Sequence, residues 1–110
     1  MLRPNLARIV CDPRLGAQAF CVVRHETVWE AGRARETETS FPAVGNIQPA
    51  SPKQLSQLPE GDRESGTIVI RTTACVRNTD TIRWQGASWR VTSVLHWNPH
   101  GYYEVYAARL

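Results

Sequence analysis

The chain has 110 residues, 42% apolar and 21% charged, with a formal net charge of +3. Those are the proportions of one ordinary globular domain spanning 1–110, able to bury roughly 65% of its unfolded surface. They exclude a membrane-spanning helix, since no apolar run approaches the roughly 20 residues one needs, and Met1 to Val10 lacks the apolar core and cleavage site of a secretory signal. The expected setting is the cytoplasm of the cell that makes the protein.

Cys11, Cys21 and Cys75 make an odd number with no Cys-x-x-Cys pair, which argues for half-buried or buried thiols rather than a disulfide framework. The positive charge comes from twelve arginines and one lysine, Lys53, scattered along the chain. Arg71, Arg83 and Arg90 fall on neighbouring predicted strands and are the nearest thing to a basic patch. They read equally well as a solvated outer face. Arginine is also favoured where proteins meet one another.

In chain order, residues 1–16 read as a flexible arm or short helix, with Pro4 at a first helical position and Asp12-Pro13 ending it. Gln18 to His25 is the first strand, Phe20 and Val22 alternating with Cys21 and Val23. Glu26 to Ser40 is expected to be exposed, charged strand-and-loop of low order, with Trp29 its only large apolar anchor. Phe41 to Gln48 is a second strand whose Pro42 and Gly45 suit an edge or a barrel corner. Residues 49–62 form a loop or short-helix insertion: Ser51 caps, Pro52 opens the helix, Leu55 and Leu58 face inward, and Pro59 and Gly61 close it. Thr67 to Thr73 is a strand with Ile68, Ile70 and Thr72 in one row and Val69 and Arg71 in the other.

The stretch Asp80 to Leu110 reads as two consecutive hairpins. A two-residue turn at Gln85-Gly86 sets Trp84 against Ala87, Ile82 against Trp89 and Asp80 against Val91, with Arg83 and Arg90 on the polar face. A four-residue turn keeps the same parity and sets Trp84 against Trp89. Asn98-Pro99-His100-Gly101 is the second turn, setting Trp97 against Tyr102, Val94 against Val105 and Thr92 against Ala107. There the apolar face changes parity, so either a bulge near Ser93 re-aims the strand or both faces are covered. The expected fold is mainly β, a small antiparallel barrel of five to six strands with one or two short helices.

Chemistry is thin. No glycine-rich phosphate cradle occurs. His96 and His100 stand at a spacing zinc sites use, but no cysteine pair supports them. Glu60 and Asp62 flank a turn glycine. A Cys75 nucleophile has no positive support. The expectation is a protein without enzymatic activity, cofactor or metal. Trp97, Tyr102 and Tyr103 gather at the second hairpin's tip beside His100, and aromatics with arginine dominate binding surfaces. The candidate partner-binding residues are therefore Trp97, His100, Tyr102, Tyr103, Arg71 and Arg90.

The pattern Asp80-x-Ile82-x-Trp84-x-Gly86-x-x-Trp89-x-Val91, followed by Trp97, Gly101 and an apolar closing strand, resembles the C-terminal half of small head–tail joining proteins of tailed bacteriophages and prophages. The likeness covers about residues 41 to 110, and Thr79 stands where that group commonly has glycine. It implies a β-barrel that is monomeric alone and forms a homo-oligomeric ring on a portal or adaptor. Such a protein is made in the host bacterial cytoplasm and works in the virion neck, bound to tail proteins. The implied action is binding and sealing, with no membrane and at most transient nucleic-acid contact. The rival reading from the residues is a barrel of oligonucleotide-binding type, stacking single-stranded bases on Trp97 and Tyr102 beside Arg71 and Arg90.

Overall fold

Six stretches fold as strands, each supplying apolar residues to the inner face of one wall. The computed structural model describes residues 11–56, 66–97 and 100–110, with the backbone alone for Leu55 and Trp97. The expected N-terminal arm over 1–10, and Leu58, Pro59, Glu60, Gly61 and Asp62 of the insertion, lie outside the described residues.

The strands are β1 (Ala17–Glu30), β2 (Arg33–Pro49), β3 (Ile68–Thr72), β4 (Thr81–Trp84), β5 (Ala87–Trp97) and β6 (Tyr102–Arg109), with a five-residue helix α1 (Pro52–Ser56) and a 3-10 turn over Pro13–Leu15. They close a barrel in the order β1-β2-β3-β6-β5-β4, every neighbouring pair antiparallel. The predicted fold class is therefore the observed one, with six strands.

The interior is one apolar cluster. Phe20 and Val22 enter it from β1, Ile47 from β2, Ile68 and Ile70 from β3, and Ile82 from β4. Trp89, Val91, Val105 and Ala107 complete the wall from β5 and β6, and Val76 plugs one end from the β3–β4 loop. Each large member contributes about 1.5–3 kcal/mol by leaving water. A smaller cluster, Val69 with Tyr106, lies on the opposite face of β3 and β6 and is covered by Ala50.

The hairpin registers follow from turn chemistry. Gln85 and Gly86 both have positive φ, 50° and 72°, so the first turn is the two-residue type that matches strand twist. Thr81 then faces Arg90, Ile82 faces Trp89 and Trp84 faces Ala87; Asp80 lies just outside the ladder. In the second hairpin the ladder slips between Val91 and Ser93, leaving Thr92 as the extra residue of a bulge. This is the parity change the sequence requires, and both alternatives are met: the bulge re-aims β5, and β6 is covered on both faces, with Glu104, Tyr106 and Ala108 buried as well as Val105 and Ala107.

Gly45 marks a corner. A Cβ there would sit 2.6 Å from the Arg71 carbonyl oxygen and 2.9 Å from the Thr72 Cβ, so only glycine lets β2 approach β3 this closely. β2 pairs with β3 only over Gly45–Pro49, so Phe41 to Val44, Pro42 among them, have one unpaired side. Ser51 caps α1 as expected, its Oγ accepting from Gln54 N at 3.2 Å while Gln54 Oε1 accepts from Ser51 N at 2.8 Å.

Residues 26–40 are exposed and charged as expected, but they are not strand-and-loop of low order: they are the outer parts of β1 and β2, paired without interruption from Ala17↔Asn46 to Glu30↔Arg33. Ala31 and Gly32, with φ of 49° and 76°, form the tight turn that makes the long ladder possible. Thr92, expected opposite Ala107, is the bulged residue, and Val91 takes that place.

Candidate docking site

Closure of the barrel determines what remains free. β1 pairs with β4 only as far as Val23↔Thr81, and β2 reaches β3 only from Gly45 onward. Between those limits, residues 24–39 have only each other as ladder partners and project beyond the wall as a two-stranded arm, and the molecule measures 52 × 32 × 29 Å. Nearly all of the arm is exposed, and Trp29 at its tip is 73% exposed. One arm face pairs its charges locally, Glu26 with Arg77 at 3.2 Å and Glu30 with Arg35 at 3.5 Å. The other carries Trp29 opposite Ala34, then Glu36 and Glu38 opposite Thr27 and His25.

The arm is anchored at its base. The Arg24 guanidinium donates from Nε to Asp80 Oδ1 at 3.1 Å and from Nη2 to Asp80 Oδ2 at 2.9 Å, and also reaches the Cys75 carbonyl at 2.8 Å. It lies over the Phe41 ring, 5.2 Å from the centroid. Asp80 accepts as well from Arg77 N at 2.8 Å, so one buried carboxylate fixes both the loop that plugs the barrel and the root of the arm. Burial by itself raises the Asp80 pKa, but the hydrogen bonds from Arg24 and Arg77 N and the two nearby guanidinium charges outweigh it and hold the carboxyl below its ordinary value. The pairing with Asp80 raises Arg24 in turn. A carboxylate so fully engaged is structural and has no proton to exchange with a substrate.

The sequence-predicted binding residues divide into two groups. Tyr102 and Tyr103 open β6, at the barrel end from which the arm leaves, since Tyr103 pairs with Thr72 while β1 runs outward past Val23. His100 sits in the turn just before them. Tyr103 is half-buried against the core and meets His96 edge-on at 5.0 Å. Trp97 pairs through its backbone with Tyr102, and its side chain lies outside the described residues.

Arg71 and Arg90 are not brought together. Sequence reasoning put them on adjacent strands, but β6 stands between β3 and β5. Arg71 is level with Glu104 and Arg90 with Ala108, roughly 13 Å further along β6. Arg71 is also engaged: its Nε lies 3.4 Å from Glu104, a buried carboxylate that accepts a hydrogen bond from the Tyr106 hydroxyl. Burial, then the Glu104 hydrogen bond, pushes Tyr106 up to about 12.

A cleft of about 520 Å³ opens at the opposite barrel end, lined by Ala19 to Cys21 of β1 and by Arg83 to Ser88 around the β4–β5 turn. Trp84 stands in its wall, donating from Nε1 to Gln18 Oε1 at 3.3 Å and lying 5.8 Å from the Trp89 ring. Among the described residues no three His, Cys, Asp or Glu gather as metal ligands. Sequence reasoning passed over the arm, the Arg24–Asp80 pair and this cleft. Gly32 inside a run of alternating Thr, Val and charged residues is the signal that points to the arm.

No protein-family model matches the chain. Over 57 residues it is 33% identical to an uncharacterized protein of Xylella fastidiosa (strain 9a5c), a match spanning 52% of this chain and 45% of that protein. The chain thus aligns with less than half the length of that relative.

Proposed function

We propose that the chain is a structural protein of the neck of a tailed phage or prophage particle, where it joins head to tail through ring assembly and protein–protein contact. The observation that supports this most is the arm. Residues 24–39 bury little in their own chain, and a two-stranded ribbon is marginal by itself in water. An exposed indole at the end of such a ribbon fits a segment whose partner is another protein. Portal or adaptor and tail proteins are the partner class that the resemblance of residues 41–110 implies. The Tyr102–Tyr103 end of the barrel points the same way as the arm, so one end can present both to a partner. Synthesis in the host cytoplasm and residence in the virion neck belong to the same reading.

The single-strand-binding alternative has less support. A phosphate-tracking groove needs a continuous basic stripe, and Arg71 is taken up by Glu104 and separated from Arg90. Salt-sensitive binding of a labelled oligonucleotide would favour it.

The test replaces residues 27–36 with an Asn-Gly turn, which joins Glu26 to its partner Thr37 in register. In a complementation assay the shortened protein is expected to leave heads without tails. Tailed particles at the normal yield would overturn the proposal.

A further inference from the structure

The arm needs an occupant, and the structure offers a seat for it. Resting on the reading that the arm acts by docking, we infer that its tip enters the cleft of a second copy of this chain, Trp29 seating between β1 and the β4–β5 turn. The cleft exists because β1 and β4 pair over only three positions, Cys21↔Arg83 to Val23↔Thr81. Below Cys21 the two elements separate, leaving Ala19 and Phe20 facing Trp84 to Ala87 with no ladder between them. Its volume lies within the range of roughly 300–1,000 Å³ that takes a small-molecule-sized group.

Charge and reach both select another copy. Glu36 stands diagonally across the ladder on the same face as Trp29, and the cleft carries Arg83 in its wall. Within one chain Arg83 meets Glu38 at 3.6 Å, an exposed pair weak enough to exchange for a neighbour's carboxylate. Trp29 cannot reach its own cleft. It lies eight residues beyond Cys21 on a regular strand, roughly 26 Å away, at the other end of the barrel. A contact that joins one end of a subunit to the opposite end of the next is head-to-tail, and such contacts close into rings or run on as filaments. The cleft and the arm tip are different surfaces, so each copy can give and receive at once.

The experiment uses Cys21, which already stands in the cleft wall. In the full chain with Cys11→Ser and Cys75→Ser, Ala34→Cys places a second thiol directly beside Trp29. Mild oxidation at millimolar protein is expected to give a reducible ladder of dimers, trimers and larger species. Adding Trp29→Ser is expected to cut its yield at least tenfold, and adding Cys21→Ser to abolish it. No ladder in a folded protein, products that stop at dimers, or a ladder that survives Cys21→Ser would each overturn the inference. The two readings fail separately. If the arm is required for tail attachment and no ladder forms, the arm's partner is a different protein. If a ladder forms and tailed particles assemble without the arm, self-association stands and the neck role falls.

Discussion

Asp80 shows how much one residue can organise. It is buried, and it holds Arg24, 56 positions earlier, together with the backbone of Arg77. Removing one partner of such a pair leaves the other uncompensated, so Asp80→Asn should destabilise the fold by about 3 kcal/mol in a denaturant titration. The sign of the pH dependence follows from the depressed folded-state pKa. Stability from this carboxylate is complete above its unfolded value near 3.8 and is lost as pH falls through the lower folded value. The Asp80→Asn protein, with less stability to lose, should therefore reach its acid-unfolding midpoint at a higher pH than the parent. Tyr106 behaves in the opposite sense. Its folded value is raised to about 12 from an ordinary 10.0, so its contribution is complete below pH 10 and lost between there and 12. Phenolate absorbance should show one of the three tyrosines ionising only near pH 12.

At the scale of elements, the chain divides into a wall that the core demands and an arm that it does not. Shortening the arm by replacing residues 27–36 with Asn-Gly removes one exposed ion pair, Glu30 with Arg35, and no buried side chain. Stability should change by no more than about 1 kcal/mol, measured as the denaturant midpoint at unchanged slope. A large loss would mean that the ribbon helps hold the barrel. Legibility followed the same division. The Ile82/Trp89 hairpin could be read because its apolar residues alternate around an obvious turn, and the parity change near Ser93 could be read because a strand that switches its apolar face needs a bulge or cover on both faces. The arm was read only as strand-and-loop of low order, because both of its faces are largely polar and no period-2 apolar signal survives to show an unbroken ladder. The Arg24–Asp80 pair was illegible for a different reason: nothing local ties residues that far apart. Tyr102 and Tyr103 were placed together correctly, whereas Arg71 and Arg90 were not, since strand order in a barrel does not follow chain order.

For the molecule as a whole, closure explains the rest. In the closed wall every strand has two neighbours, and the features left over are the projecting arm at one end and the cleft at the other. That polarity is what a subunit needs to contact the next one head-to-tail. Everything rests on a closed, rigid barrel with an arm that is separable from it. Amide hydrogen exchange on the isolated protein, resolved by residue, tests this most directly. Slow exchange is expected along Phe20–Val23, Ile68–Thr72, Trp89–Val91 and Glu104–Ala107, with fast exchange over residues 25–38. Protection of the arm equal to that of these strands, or rapid exchange throughout β5 and β6, would contradict it.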